Sequence, residues 1–265
     1  MLLDAIFHKY GYDFRNYTRS YIKRRVLSRK RLERIDRVVD MVQKVIDDEV
    51  FADNLLADFS INVTEVFRDP LFYKAFREKV VPHLKTYPFL KIWHAGCASG
   101  EEVYSMAILL HEEGLLKRAQ LYGTDFNGHV LEAAKKGIYD KEILPEFIEN
   151  YKIAGGKQDL SQCYIDEGDS IRMRPFLREK IIFAEQNLAA DKVFGEMHCV
   201  ICRNVLIYFN KILQNVALHL FHESLCPAGF LCLGIKETLQ FSECEKEFDI
   251  IDEKQKIFRK KYQYE

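Results

Sequence analysis

The sequence predicts an α/β fold. A mostly parallel sheet carries helices on both faces and an antiparallel strand near its C-terminal end. A helical domain precedes it, and a small antiparallel insertion interrupts it. Three observations predict this. Residues 94–104, His-Ala-Gly-Cys-Ala-Ser-Gly-Glu-Glu-Val-Tyr, follow the apolar pair Ile92-Trp93 and precede the apolar-periodic run Val103–Leu110. That order is strand, small-residue turn, helix, the first βα unit of a nucleotide-binding sheet. From residue 90 onward strand-like and helix-like segments alternate, the pattern of an α/β sheet covered on both sides. Residues 1–60 contain no proline and no strand-like alternation, and read as helices.

The elements follow from local pattern. Lys91–Gly96 is a strand and Glu101–Glu112 a helix; Gln120–Phe126 is a strand, and Val130–Lys136 a helix stopped by Gly137. Lys180–Gln186 and His198–Ile201 are strands. Lys211–Leu225 is a helix ended by Pro227 and Gly229, and Phe230–Ile235 is the next strand. Phe248–Ile251 and Lys256–Tyr262, joined by Asp252-Glu253-Lys254-Gln255, form a hairpin that places an antiparallel strand in the sheet. Between Tyr139 and Leu177 the rhythm breaks. Gly155-Gly156 and Glu167-Gly168-Asp169 flank the short runs Gln162–Ile165 and Ser170–Met173. This stretch reads as a small antiparallel subdomain or, equally, as an irregular loop. The expected division is a helical domain over 1–60, a linker and connecting helix over 61–89, and the sheet domain over 90–265 with 140–178 inserted.

Composition narrows the function. Of 265 residues, 48% are hydrophobic and 30% charged, and the net charge is −1. These are the proportions of a folded, water-exposed domain, and the overall charge gives no sign of a nucleic-acid partner. No apolar run has the length of a membrane span, and the start lacks the pattern of a secretory signal. Seven cysteines, mostly inside apolar runs, read as reduced thiols in a cytoplasm. Cys199 and Cys202 stand three apart on a strand and so face opposite sides, which argues against zinc, and no metal is expected. Residues 1–45 hold twelve Lys/Arg against five Asp/Glu. Arg15, Arg19 and Lys23 recur every fourth residue, with Arg24, Arg25, Arg29, Lys30 and Arg31 nearby. The expectation is a basic helical face that binds a partner, against the plainer alternative of a solvated surface.

The turn after the first strand points to a ligand. Gly96, Ala98, Ser99 and Gly100 lack bulk, so backbone can approach a flat ligand closely. A pyrophosphate cradle needs bare N–H groups and no carboxylates at the helix start. Glu101 and Glu102 occupy that start, suiting instead a ligand that offers an amine or hydroxyls, such as S-adenosylmethionine. The same turn also reads as an ordinary strand-to-helix connection with acids in its first turn. Asp125 ends the second strand, where an acid accepts ribose hydroxyls. Asn187-Leu188 follows a further strand, where an adenine edge could lie. Arg203-Asn204 follows four apolar residues at another strand's carboxyl end. Ser60–Pro70 adds Asn62, Thr64 and Arg68; Asn62 or Thr64 also reads as a helix N-cap.

The segments Ser60–Pro70, Lys91–Ser105, Thr124–Tyr139 and Cys202–Tyr208 resemble, in order, the signatures of the CheR family of chemotaxis receptor glutamate methyltransferases. The likeness runs from the basic Tyr21–Arg31 region to Phe241. It implies a methyltransferase (Rossmann-like) sheet and transfer of a methyl group from S-adenosylmethionine to receptor glutamates, leaving S-adenosylhomocysteine. It implies that Asn62, Thr64, Arg68, Gly96, Glu102, Asp125, Asn187, Leu188, Arg203 and Asn204 contact the cofactor, and that Arg68 and Tyr208 border the transferred methyl as catalytic residues. It further implies a methyl-accepting chemoreceptor as partner, docked through the basic N-terminal helices and the β insertion. There are departures. The family's Gly-His-Ser-Glu is here Gly234-Ile235-Lys236-Glu237, and Asn127 stands where an acid is frequent. The insertion has Gly155-Gly156 but no Gly-Pro-Gly, which bears on tethering of a receptor peptide. A sensor that binds the cofactor without turnover would be expected to lose the Asn62/Thr64/Arg68/Tyr208 set. A nucleic-acid methyltransferase would be expected to carry an Asp/Asn-Pro-Pro-Tyr/Phe motif, which is absent.

Overall fold

The computed structural model describes residues 1–60, 64–190, 193 and 195–262. Four helices open the chain: α1 (Leu2–Tyr10), α2 (Arg19–Leu32), α3 (Asp40–Asp47) and α4 (Glu49–Phe59). They close on a core of their own that includes Ile6, Phe14, Val45, Phe51 and Leu55. Gly11 ends α1 at φ 79°, a left-handed cap that suits glycine. Asp48 caps α4 by accepting from the Phe51 amide at 3.0 Å. The single connecting helix expected over 61–89 is two, α5 (Pro70–Lys79) and α6 (Val81–Leu84). Pro82 lacks the N–H that would continue the α5 hydrogen-bond ladder and sits instead in the first turn of α6, where none is needed.

The sheet domain then runs β1 (Leu90–Ala95), α7 (Glu101–Glu112), β2 (Ala119–Asp125), α8 (Gly128–Lys136), the insertion, β6 (Ile181–Glu185), β7 (Met197–Cys202), α11 (Lys211–Ser224), β8 (Leu225–Leu233), β9 (Phe248–Asp252) and β10 (Ile257–Lys260). Spatial order is β6-β2-β1-β7-β8-β10-β9. The first five strands are mutually parallel, and β10 runs antiparallel to both β8 and β9. The period of two sorts the core. Ile92, Leu121, Cys199, Ile201 and Cys232 pack on one face; Trp93, Val200, Cys202, Leu231 and Leu233 pack on the other. Cys199 and Cys202 thus point apart, as expected.

The insertion is ordered, a three-stranded antiparallel sheet β3-β5-β4 made of β3 (Ile138–Asp140), β4 (Tyr164–Asp166) and β5 (Ser170–Met173). The expected runs are two of its strands. The helix α9 (Leu144–Ile153) and the short α10 (Pro175–Arg178) also belong to this region; the α9 apolar face was not read from the sequence.

Two expectations need correction. The helix before β8 ends at Ser224, and Pro227 and Gly229 lie inside β8. There the register against β7 jumps between Met197 and Cys199, so residues 226–229 bulge out and regular pairing resumes at Phe230. Proline is tolerated at such an irregularity. Arg15 does not share a helical face with Arg19 and Lys23, because α2 begins only at Arg19. Its guanidinium instead pairs with Asp13 at 2.9 and 2.8 Å and lies 4.0 Å from the Phe7 ring centroid.

Candidate functional site

Strand order reverses between β1 and β7, and a crevice opens at the carboxyl ends of the strands beside such a switch point. Here it is a partly open cavity of about 930 Å³. The turn after β1 forms its floor. Gly96 has φ 77°, and a Cβ there would lie 2.5 Å from Val205 Cγ2, so only glycine fits. The Gly96 and Cys97 amides donate to the Thr124 carbonyl at 2.8 and 2.9 Å, lashing this turn to the end of β2.

Asp125 stands beside it. Its Oδ2 accepts from the Ala98 amide at 3.0 Å and its Oδ1 from the Asn127 amide at 3.1 Å. Burial pushes this carboxyl up from its ordinary value, and the backbone N–H groups oppose that. Asn127 caps α8 by accepting from the His129 amide at 3.0 Å. At the end of β6, the Gln186 amide donates to the Asp125 carbonyl at 2.9 Å. Asn187 and the buried Leu188 follow on the cavity wall. Gln186 also lines the cavity, a residue the sequence argument passed over although it stands one step before Asn187.

The paired glutamates separate. Glu102 faces the cavity, while Glu101 turns to a second, smaller cavity of about 300 Å³ that it shares with Thr64, Glu65, Glu146 and Phe147. The Ser99 hydroxyl bonds Glu101 at 2.8 and 2.9 Å, and burial pushes the Glu101 carboxyl up to about 7. Glu102 is held by His94 Nδ1 at 2.9 Å and by Arg203 Nη1 at 3.0 Å. Burial alone would raise it, but these two partners prevail and keep it below the usual carboxylate range.

Arg203 reaches the cavity wall, yet its guanidinium is taken up by the protein. Besides Glu102 it bonds Asp69 Oδ2 at 2.7 Å and the Arg68 carbonyl at 3.2 Å, and it lies 4.3 Å from the Phe72 ring centroid. It ties the linker after the helical domain to the sheet. Asn204 adopts φ 62°. That conformation is held by Glu237, which accepts from the amides of Asn204 at 3.1 Å, Val205 at 2.8 Å and Gly234 at 2.6 Å. The acid that closes Gly234-Ile235-Lys236-Glu237 is therefore a clamp on the loop after β7, a role no local pattern reveals.

Thr64 and Arg68 arrive from the linker and line the cavity; Asn62 lies outside the described residues. Tyr208 ends a short 3-10 turn beside it. The helical domain completes the wall with Tyr17 and Tyr21, neither of which the sequence argument selected. The Tyr21 ring packs tilted against the Tyr208 ring, centroids 4.9 Å apart, and its hydroxyl donates to the Phe59 carbonyl at 2.7 Å. Burial pushes Tyr21 up to about 12. The Thr18 amide donates to the Tyr208 carbonyl at 2.8 Å, and Tyr17 and Phe209 form an antiparallel bridge. The aromatic spacing of Tyr10, Tyr12, Phe14, Tyr17 and Tyr21 was the available signal.

Among the described residues, one cavity thus presents Asp125 and Glu102, apolar walls from Leu188, Phe126 and Tyr17, and no lysine. It fits a ligand with vicinal hydroxyls, a flat ring and a cationic group, and does not fit a pyrophosphate. Among the described residues no group of three or more His, Cys, Asp or Glu is placed to hold a metal ion.

Comparison with known proteins agrees with this geometry. Residues 62–257 match the CheR methyltransferase SAM-binding domain, and residues 1–60 match the CheR methyltransferase all-alpha domain. The Pseudomonas putida protein Cher3 is 49% identical over 260 residues, which are 98% of this chain and 95% of that one. A chemotaxis protein methyltransferase of Listeria monocytogenes is 28% identical over 86% of this chain and 85% of its own length. Chemotaxis protein methyltransferase 1 of Pseudomonas aeruginosa is 33% identical over 67% of this chain and 66% of its own. With both family domains matched in order over nearly all of its length, the chain belongs to the CheR methyltransferase family.

Proposed function

We propose that this chain transfers the methyl group of S-adenosylmethionine to glutamate side chains of chemoreceptor-type proteins, forming glutamate methyl esters and S-adenosylhomocysteine. The observation that carries the reading is a single cavity walled at once by Asp125, Glu102, Arg68 and Tyr208. Asp125 would accept the ribose hydroxyls, Asn187 and Leu188 would border the adenine, and Glu102 would receive the ammonium of the amino-acid moiety. Thr64, Gly96 and Asn204 fill the wall between them. The chemotaxis names of relatives support the receptor as substrate class.

Glutamate has an ordinary pKa of about 4.3, so its carboxylate is already the nucleophile at neutral pH. S-adenosylmethionine supplies an electrophilic methyl on sulfonium. The carboxylate oxygen provides the pair for the new O–C bond, and the C–S pair stays on sulfur, so no general base is needed. Opposite charges fade as the bond forms, which a water-poor pocket favours, together with in-line placement. Arg68 would orient the incoming carboxylate by a charge-assisted bond. Tyr208, set by the Thr18 amide and the Tyr21 ring, would orient the methyl region. A grip by Arg68 that was too strong would stabilise the ground state more than the transition state. Its work is orientation.

Exposed cations of α2, among them Arg19, Lys23 and Arg24, would steer an acidic receptor bundle, with the small β sheet as a second contact. Among the described residues no helix is long and apolar enough to cross a membrane, and receptor cytoplasmic domains would place the reaction in the cytoplasm. The test is transfer of label from radiolabelled S-adenosylmethionine to receptor-bearing membranes. The expected label is released as methanol by alkali, as an ester requires; alkali-stable label or none would overturn the reading.

A further inference from the structure

His94 belongs to β1, is wholly buried, and is flanked in the sheet by Gly123 and Ile201. It is not among the residues that line the cavity. A buried imidazole in a strand core needs a reason, because each of its nitrogens must be satisfied or left unpaired at a cost. Its Nδ1 lies 2.9 Å from Glu102 Oε1, and its Nε2 is buried with no hydrogen-bond partner among the described residues. A neutral imidazole carries one N–H and one bare nitrogen. Facing a carboxylate, Nδ1 carries the proton, and the unpaired atom is then the bare acceptor Nε2.

Glu102 is thereby pinned from two sides. Arg203 Nη1 holds Oε2 at 3.0 Å, and Arg203 is itself fixed at 2.7 Å by Asp69. A carboxylate with both oxygens anchored keeps one direction, and its remaining lone pairs face the cavity it lines. Glu102 shares the single guanidinium of Arg203 with Asp69, so its charge is only partly offset by that contact, which suits a cationic group in the cavity.

We infer that His94 is a positioning residue that aims Glu102 at the ammonium of the cofactor's amino-acid moiety. This rests on the reading above that S-adenosylmethionine occupies the cavity. Removing His94 leaves Glu102 held only by Arg203, free to swing toward that cation and away from the ligand. Preorganised first contacts depend on such support from the next layer of residues.

The experiment compares two probes by calorimetry, S-adenosylhomocysteine and 5′-methylthioadenosine. Both carry the adenosine, and only the first carries the ammonium. In the His94→Leu variant, affinity for S-adenosylhomocysteine should fall about tenfold or more, while affinity for 5′-methylthioadenosine stays within about twofold. His94→Gln, whose carboxamide can donate to Glu102, should recover much of the loss. A merely structural role predicts equal losses for both probes and no selective rescue, and that result, or unchanged affinity in a folded His94→Leu variant, overturns the inference. Should the leucine variant fail to fold, nitrogen NMR of the wild-type imidazole decides: the proton on Nδ1 is expected, and the opposite tautomer refutes it. If wild-type protein binds neither probe, the cofactor reading falls with it; if it binds both and only the variant pattern fails, the cofactor reading stands.

Discussion

Asp125 and Arg68 line one cavity, and the proposed function gives the first a part in binding and the second a part in turnover. Asp125 is fixed by backbone N–H groups from two segments, so its free lone pairs have one direction, and charged hydrogen bonds contribute roughly 1.5–3 kcal/mol each. Asp125→Ala should weaken S-adenosylhomocysteine binding at least about tenfold by calorimetry; unchanged affinity in a folded variant would remove it from the site. Arg68→Ala and Tyr208→Phe should instead lower turnover more than cofactor affinity, and a wild-type rate in either would remove that residue from the mechanism. Glu101 gives a pH signature. Its carboxyl is raised from 4.5 to about 7 by burial, so the folded state holds a proton that the unfolded chain has released. Its stabilising contribution is therefore present below pH 4.5 and lost as pH rises through about 7. Glu101→Gln should flatten the decline of Tm across that window, and an identical pH profile in the variant would refute the assignment. Residues such as Asp125, Gly96 and Asn204 were legible in the sequence because they lie at or just beyond the carboxyl ends of strands. Glu237 and His94 were not, because the contacts that give them a role, Glu237 to Asn204 and His94 to Glu102, join residues 33 and 8 positions apart that only the fold brings together.

Among the elements, the βα unit around Gly96 was read almost residue by residue, since apolar runs and small-residue turns change period there. The end of α11 was misread because Pro227 and Gly229 signal a break equally well in a loop and in a bulged strand. The junction between α2 and the loop after β7 could not be read at all, since it joins residues 16–18 to residues 208–210. The Thr18 amide supplies one of its bonds, at 2.8 Å, and Thr18 has φ −61°, close to the value proline imposes. Thr18→Pro should therefore delete that bond at a compatible φ, while its ring carbon, taking the place of the hydrogen, pushes the Tyr208 carbonyl away. Turnover should fall several-fold; an unaltered rate would show that the junction does not set Tyr208.

For the molecule as a whole, an overall charge of −1 conceals a basic front, twelve Lys/Arg against five Asp/Glu in residues 1–45. Some of that charge is spent internally, as where Arg29 meets Asp58 at 2.7 Å and Arg15 meets Asp13. Arg19, Lys23 and Arg24 remain exposed on α2. Steering by such charges is screened over about 8–10 Å at physiological salt. Raising the salt should raise the receptor KM and leave cofactor affinity nearly unchanged, and reversing those three residues to glutamate should do the same at low salt. A triple variant with normal KM and normal salt response would reduce the basic face to a solvated surface.

The sheet order also governs how the chain can assemble. Among the described strands β10 comes latest in the sequence, yet it lies between β8 and β9 rather than at an edge. Until residues 257–260 are available, β9 has no partner and β8 presents a row of open backbone groups beside the hydrophobic Phe230 and Leu231. A nascent or truncated chain lacking that strand would carry the kind of bare apolar edge that recruits other chains. Pairing of β10 is what joins β9 to the rest of this sheet, so loss of residues 257–260 should favour aggregation.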